Sequence, residues 1–142
     1  MQGLPTQNPG AYPGAGKASL LRPNESMYLF QQQAIAAGTA SIAAQIERIK
    51  SSYYPFGASM QIWFTDVNGV ASDPGTFEVD FQTSDVDIDA AYYTIQMLKG
   101  ASSILNASFQ GGIQMPSFYA KFVRAKLVTL PNPVYSNILL TR

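Results

Sequence analysis

The chain has 142 residues and a mass of 15.4 kDa, which suits a single domain. Nine Lys and Arg residues balance nine Asp and Glu residues, and charged residues make up 13%, about half the ~25% of a usual soluble domain. The chain has no Cys and no His, which excludes disulfides, thiolate zinc sites, thiol nucleophiles and every mechanism that needs an imidazole. The balanced charge also argues against nucleic acid as a partner, since phosphate binding needs a Lys/Arg surplus.

The low charge predicts a surface that is poor in self-repulsion and suited to being covered by neighbours. No segment approaches the roughly 18 to 20 apolar residues that cross a bilayer, so we expect no membrane partner. The first residues lack a basic start followed by an apolar run, so we also expect no secretory signal.

Residues 1–26 are predicted to form an extended N-terminal arm, because four of the nine prolines and four of the eleven glycines lie there. Two interpretations stay open. The arm is either a disordered tail or a segment that orders against a neighbouring subunit. In the second case Tyr12, Leu20 and Leu21 would be its anchors.

Residues 27–142 are predicted to form one β-sandwich domain. Turn signals such as Asn68-Gly69 separate short runs that are rich in β-branched and aromatic residues. The run 76–82 alternates apolar Phe77, Val79 and Phe81 with polar side chains, which is the period of a half-buried strand. The remaining strands are predicted at Ser59–Thr65, Ala91–Ile95, Ser117–Leu130 and Val134–Thr141.

The segment 34–50 supports both a strand and a helix. Ile42, Ile46 and Ile49 recur at helical spacing, whereas Gly38 interrupts the run and Ile42, Ala44 and Ile46 also alternate. We favour strand, because the rest of the chain has the pattern of β-structure. About eight short strands then predict an all-β, jelly-roll-like sandwich.

Asp85, Asp87 and Asp89 form the one carboxylate cluster in the sequence, with the spacing that opens a calcium loop. An EF-hand needs Gly at the sixth position and Glu at the twelfth, where this chain has Ala90 and Gln96. A looser calcium site built with Asp80 and a solvated loop after the strand remain the two interpretations. No other cofactor is predicted.

Other charged residues give no sign of catalysis. The spacing of Glu47 and Glu78 singles out no acid and nucleophile, and Glu78 and Asp80 are expected on the outer face of a strand. Lys121, Arg124 and Lys126 are expected on an exposed strand that pairs with the acidic one. The chain is therefore predicted not to be an enzyme.

Aromatic residues gather at a turn formed by Tyr53, Tyr54 and Phe56, with Trp63 nearby. They either cap the core at one end of the sandwich or stack on a sugar ring or a partner protein. These three turn residues join Tyr12, Leu20 and Leu21 as predicted partner-binding residues.

The order of motifs in the second half resembles the capsid cement or decoration proteins of tailed bacteriophages. The resemblance spans roughly residues 50–142 and is carried by these segments in order: Ser52–Gly57, Phe77–Gln82 with Asp85 and Asp87, Tyr92, Phe122–Leu127 and Leu139–Arg142. It implies a jelly roll on the outside of a capsid, bound to the major capsid protein, often as a homodimer or other homo-oligomer. It implies no catalytic residues.

Two functions follow as expectations. The first is a structural virion protein, made in the host cytoplasm, which binds the capsid exterior and cements contacts between major capsid protein subunits. The alternative is a carbohydrate-binding jelly-roll module of a phage tail or a cell surface, with Tyr54 and Trp63 as stacking residues.

Overall fold

The computed structural model describes residues 19–46, 58–100, 110–114 and 120–142, with the backbone alone described for 110–114. Within them the chain is almost entirely β-structure, and a 3-10 turn at Asp89–Ala91 is the one helical element. The strands in chain order are β1 Ser19–Leu21, β2 Ser26–Ala34, β3 Thr39–Ala40, β4 Ala44–Ile46, β5 Ser59–Thr65, β6 Phe77–Ser84, β7 Tyr93–Gly100, β8 Gln110–Gln114, β9 Phe122–Thr129 and β10 Tyr135–Thr141.

The strands form two sheets. One has the order β1-β4-β9-β6-β7, with β3 also paired to β9, and the other has the order β2-β10-β5-β8. We call the first the charged sheet, because β6, β7 and β9 carry charged residues, and the second the uncharged sheet, because its strands carry none. Because β3 and β4 both pair with β9, they act as one interrupted strand.

The antiparallel pairs are nested along the chain. β2 pairs with β10, β3 and β4 with β9, β5 with β8, and β6 with β7. Among β2 to β10, the first strand therefore pairs with the last and the two central strands, β6 and β7, pair with each other, which is the wrapping of a jelly roll. The predicted all-β sandwich is confirmed, and β1 adds a parallel strand to one edge.

The core lies between the two sheets and is built from the alternating apolar side chains. Met60, Ile62 and Phe64 of β5 are fully buried, and Phe64 meets Phe77 of β6 with ring centroids 5.0 Å apart. Val123, Ala125 and Leu127 supply the facing side of β9. In the part of the chain described, no helix is long and apolar enough to cross a membrane.

Within 34–46 the strand interpretation is confirmed at Ala34, Thr39–Ala40 and Ala44–Ile46, which are joined by irregular and turn residues and by no helix, while 47–50 lie outside the described residues. The backbone of this segment bonds to β9 in place of forming helical turns. Gly38 N–H donates to Leu127 O at 2.6 Å, and Ser41 N–H donates to Ala125 O at 2.7 Å. Gly38 has φ of +89°, a turn conformation that glycine adopts without steric cost.

The last part of the predicted arm belongs to the sandwich. Residues 19–21 form β1, and Leu21 is 1% exposed within the core. The C-terminal residue fastens this segment, because Arg142 N–H donates to Glu25 O at 2.9 Å and its guanidinium donates to Leu21 O at 3.0 Å. The prolines and glycines that suggested an arm lie mostly before Ser19, outside the described residues, so the composition of 1–26 concealed this short strand.

Candidate binding surface

The uncharged sheet carries no Asp, Glu, Lys or Arg in any of its four strands. Their sequences are SMYLFQQQA, SMQIWFT, QGGIQ and YSNILLT. The other sheet, by contrast, carries acidic residues on β6 and basic residues on β7 and β9. Charged groups are among the residues that avoid burial most strongly, so their absence from a whole sheet marks a face that can be covered at low cost.

Alternation separates the inner and outer faces of the uncharged sheet. On β5, Met60, Ile62 and Phe64 point into the core, whereas Gln61 and Trp63 lie on the outer face. The other outer positions follow from the register with β10 and β2 and are Ser59, Thr65, Tyr135, Asn137, Leu139, Thr141, Ser26 and Tyr28. The outer face is therefore aromatic, amide and hydroxyl in character.

An aromatic pair occupies the middle of this face. The rings of Tyr28 on β2 and Trp63 on β5 lie 6.0 Å apart, at an interplanar angle of 67°. Leu139 of β10 sits between the two strands, opposite Tyr28 on one side and Gln61 on the other. Edge-on packing of this kind fixes both rings, so the centre of the face presents pre-ordered apolar area.

A hydrogen-bonded amide pair lies beside the aromatic rings. Asn137 Oδ1 accepts from the backbone N–H of Gln32 at 2.8 Å, and Gln32 Oε1 accepts from Thr65 Oγ1 at 2.7 Å. Gln32 Nε2 donates to Asp66 O at 2.9 Å. Gln32 has φ of +49°, a left-handed conformation that costs energy in a non-glycine residue, and these bonds hold it there. They also explain the register shift between β2 and β10 at this point.

The charged sheet has a different outer face, centred on buried Arg124. The Arg124 side chain is 2% exposed, and its Nε donates to Gln82 Oε1 at 2.8 Å. Its Nη2 lies 2.9 Å from Asp89 Oδ1, and the guanidinium carbon lies 4.0 Å from the centre of the Tyr92 ring. Tyr92 donates in turn to Asp87 Oδ1 at 2.6 Å. This network fastens the 85–92 loop to the sheet.

Asp80 extends the network on the same face. Thr94 Oγ1 donates to Asp80 Oδ2 at 3.0 Å, and Gln82 Nε2 donates to Thr94 Oγ1 at 3.3 Å. The pKa of Asp80 is raised from 3.8 to about 6, chiefly by burial and next by the adjacent Glu78 carboxyl, while Thr94 and Lys126 act in the opposite direction.

Two expectations about this face are wrong. Asp80 and Gln82 were expected on an outer, solvated strand face, and both are buried. Arg124 was expected in an exposed basic group with Lys121 and Lys126, and it is buried too. The expected pairing of the basic and acidic strands is confirmed, since Gln82 faces Arg124 and Asp80 faces Lys126. Arg124 is covered by the loop that follows β6, whose Asp89 and Tyr92 contact its guanidinium, whereas Asp80 lies between Thr94 and Lys126 of the flanking strands. Alternation along one strand reveals neither contact.

The three aspartates proposed for calcium have separate surroundings. Asp87 accepts from Tyr92, Asp89 pairs with Arg124, and Asp85 is exposed. The described residues contain no group of three or more carboxylates that could hold a metal ion. The structure therefore gives two of these side chains a structural role in fastening the loop.

Of the predicted partner-binding residues, Tyr12, Tyr53, Tyr54 and Phe56 lie outside the described residues. Leu20 is 42% exposed, on the outer side of β1. Leu21 is buried in the core of its own chain, so the structure offers Leu20 and not Leu21 to a partner. Alternation along a three-residue strand puts these two leucines on opposite faces.

Sequence reasoning missed the uncharged sheet as a unit. The signal was present in the strands themselves, since none of the segments 26–34, 59–65, 110–114 and 135–141 contains a charged residue. What the sequence did not reveal is that these four segments are neighbours, because their order in the sheet depends on the nested pairing.

Comparison with protein-family models, with curated proteins and with solved structures finds no match to this chain.

Proposed function

We propose that the protein is a structural component of a virion, which binds the outer surface of a phage capsid and cements contacts between major capsid protein subunits. The observation that carries the proposal is the uncharged outer face with the Tyr28–Trp63 pair at its centre. The resemblance of residues 50–142 to cement proteins supports the same proposal.

The physical argument rests on desolvation. The fully buried centre of a protein interface is depleted in charge and enriched in Tyr and Trp, as this face is. Covering this face removes water from hydroxyl and amide groups, to which a protein partner can supply new hydrogen bonds. It removes water from no charged group. Each contact can be modest, because a shell repeats the same site many times and a homo-oligomer engages several sites together.

The experiment compares two matched substitutions, Gln61→Lys and Gln45→Lys. Gln61 is exposed on the outer face of the uncharged sheet, and Gln45 is exposed on β4 of the other sheet. Purified particles from the source of the sequence are stripped of this protein and re-incubated with each variant. A buried unpaired ammonium that costs about 2 kcal/mol weakens binding about 30-fold.

We expect Gln45→Lys to bind with wild-type stoichiometry and Gln61→Lys to bind about 30-fold more weakly. Absence of the wild-type protein from particles, or equal binding by both variants, contradicts the proposal.

The aromatic pair supports one second candidate, a carbohydrate-binding module. Trp63 and Tyr28 offer rings for stacking on sugars, and Gln61 beside Leu139 offers an amide for hydroxyl groups. The absence of charge suits a neutral glycan. This candidate predicts a glycan-induced change in the fluorescence of Trp63, the one tryptophan of the chain, and loss of binding in Tyr28→Ala.

A further inference from the structure

The strand β7 forms one edge of the charged sheet. It pairs with β6 on one side, and among the described residues no strand pairs with its other side. None of its eight residues is buried, and the side chains of Tyr93 and Met97 are 55% and 53% exposed. A free edge of this kind presents a row of backbone N–H and C=O groups that can pair with a further strand.

A β-bulge limits the part of this edge that can accept a strand. The register between β6 and β7 shifts between Phe81 and Gln82, which leaves Ile95 without an opposite residue. Beyond the bulge, residues 96–100 pair with β6 without interruption. A bulge locally twists and disrupts the ladder, so 96–100 is the regular part of the edge. It contains no proline and one charged residue, Lys99.

Alternation assigns the side chains of 96–100 to two faces. Residues directly opposite each other in a sheet point to the same face. Met97 lies opposite Asp80 and Lys99 lies opposite Glu78, so both project on the outer face of the charged sheet. The residues between and beside them lie on the core side, opposite the buried side chains of Phe77, Val79 and Phe81.

These faces restrict how a second copy can pair with the edge. A two-fold axis perpendicular to the sheet makes the two β7 strands antiparallel and joins outer face to outer face. Centred on Leu98, it sets Met97 opposite Lys99 of the second copy, so that both lie on the outer face. Centred on Met97, it would set Lys99 opposite Ile95 at the bulge. Centred on Lys99, it would set two lysines directly opposite each other, which is destabilising.

Charge also favours the pairing centred on Leu98. The row of outer residues that crosses the joint is then Lys126, Asp80 and Met97, followed by Lys99 and Glu78 of the second copy. Positive and negative residues alternate along this row, and within each copy Lys99 Nζ lies 3.4 Å from Glu78 Oε1. The aliphatic stem of Lys99 covers the exposed Met97 of the other copy. Because each copy supplies both halves of the row, the edge is complementary to itself.

We propose that β7 of one copy pairs antiparallel with β7 of a second copy, centred on Leu98, and forms a two-fold dimer in which one sheet runs through both sandwiches. Because the axis is perpendicular to the sheet, the two uncharged faces lie on the same side of the dimer. The pairing itself does not depend on the proposed capsid function. Where that function holds, both faces bind one shell together.

Sedimentation equilibrium of the full chain tests whether the dimer forms, over concentrations from about 1 µM to about 1 mM, where weak interfaces dissociate. We expect a monomer–dimer equilibrium for the wild type. Met97→Lys puts a lysine opposite Lys99 at two symmetric positions and should raise the dissociation constant about tenfold. Val86→Lys is the matched control, because Val86 is 48% exposed in the loop that follows β6, and should leave the constant unchanged. A wild type that stays monomeric throughout, or equal constants for the two variants, overturns the proposal.

Introduced cysteines test the register. The chain has no cysteine, so every disulfide formed by single-cysteine variants joins two copies. Opposite residues of antiparallel strands have Cα atoms about 4.5 or 5.5 Å apart, within reach of a disulfide, whereas diagonal neighbours lie about 7–8 Å apart. We expect ¹⁵N-labelled Met97→Cys mixed with unlabelled Lys99→Cys to form the mixed disulfide in excess over both symmetric disulfides on mild oxidation, as measured by mass spectrometry. An excess of a symmetric disulfide, or no more mixed disulfide than Val86→Cys forms with Lys99→Cys, overturns the proposed pairing.

Discussion

Replacing Asp80 by Asn removes a buried charge while keeping the shape of the side chain. Asp80 is 8% exposed, and burial raises its pKa from 3.8 to about 6. The unfolded chain therefore releases this proton near pH 3.8, whereas the folded protein holds it until about pH 6. In that window the folded state binds more protons, so its stability falls as pH rises and then stays lowered above pH 6.

A pKa raised by about 2 corresponds to about 3 kcal/mol of lost stability at neutral pH, as an upper limit. Asp80→Asn recovers part of this, because Asn keeps an acceptor for Thr94 and can donate to Glu78, while it gives up the attraction of Lys126 opposite. We expect a gain of about 1 to 3 kcal/mol at pH 7.5, or roughly 3 to 10 °C in Tm. At pH 3 the two proteins should be nearly equal.

The measurement is urea unfolding at several values between pH 3 and pH 8, followed by the fluorescence of Trp63, the one tryptophan. Asp85→Asn is the matched control, because Asp85 is exposed on the loop. It should leave the pH dependence of the wild type intact. A mutant Asp80→Asn that is less stable than wild type at pH 7.5, or a stability difference that does not vary with pH, refutes the reasoning.

Three further substitutions probe the core and the two polar networks by the same unfolding assay. Phe64→Ala empties a fully buried site and should cost about 3 to 5 kcal/mol; a loss under 1 kcal/mol contradicts its place in the core. Asn137→Ala removes the acceptor of the Gln32 N–H and should lower the free energy of unfolding by about 1 to 3 kcal/mol. It should also speed amide hydrogen exchange at Gln32, and unchanged exchange there contradicts the hydrogen bond. Tyr92→Phe deletes the hydroxyl that donates to Asp87 and should cost about 1 kcal/mol, so an unchanged urea midpoint contradicts it.

The sequence predicts the local elements well, because a strand that faces a core on one side must alternate. Phe77, Val79 and Phe81 have this pattern and are all buried in β6. The Ala-rich segment 34–50 was compatible with a helix and with a strand, since the spacing of Ile42 and Ile46 fits both periodicities. The segment is not helical because the backbone N–H groups of Gly38 and Ser41 donate to carbonyl groups of β9.

Long-range features escaped prediction for a common reason. Arg124 and Asp80 lie at positions on the outer face of their strands, which in a half-buried strand are normally exposed to solvent. The burial of Arg124 depends on Asp89 and Tyr92 of the loop between β6 and β7, and Asp80 is flanked by Thr94 and Lys126 of the neighbouring strands. The local pattern of residues along one strand does not predict contacts with a distant segment. It also does not predict which uncharged strands become neighbours in the sheet.

The central claim is that the uncharged face is the surface by which this protein attaches to a repeating protein shell. Its most direct test is the amount of wild type, Gln61→Lys and Gln45→Lys that co-sediments with stripped particles, measured per copy of the shell protein. The account predicts stoichiometric binding by wild type and Gln45→Lys, with Gln61→Lys weakened about 30-fold. Equal binding by the two lysine variants, or no binding by wild type, contradicts it.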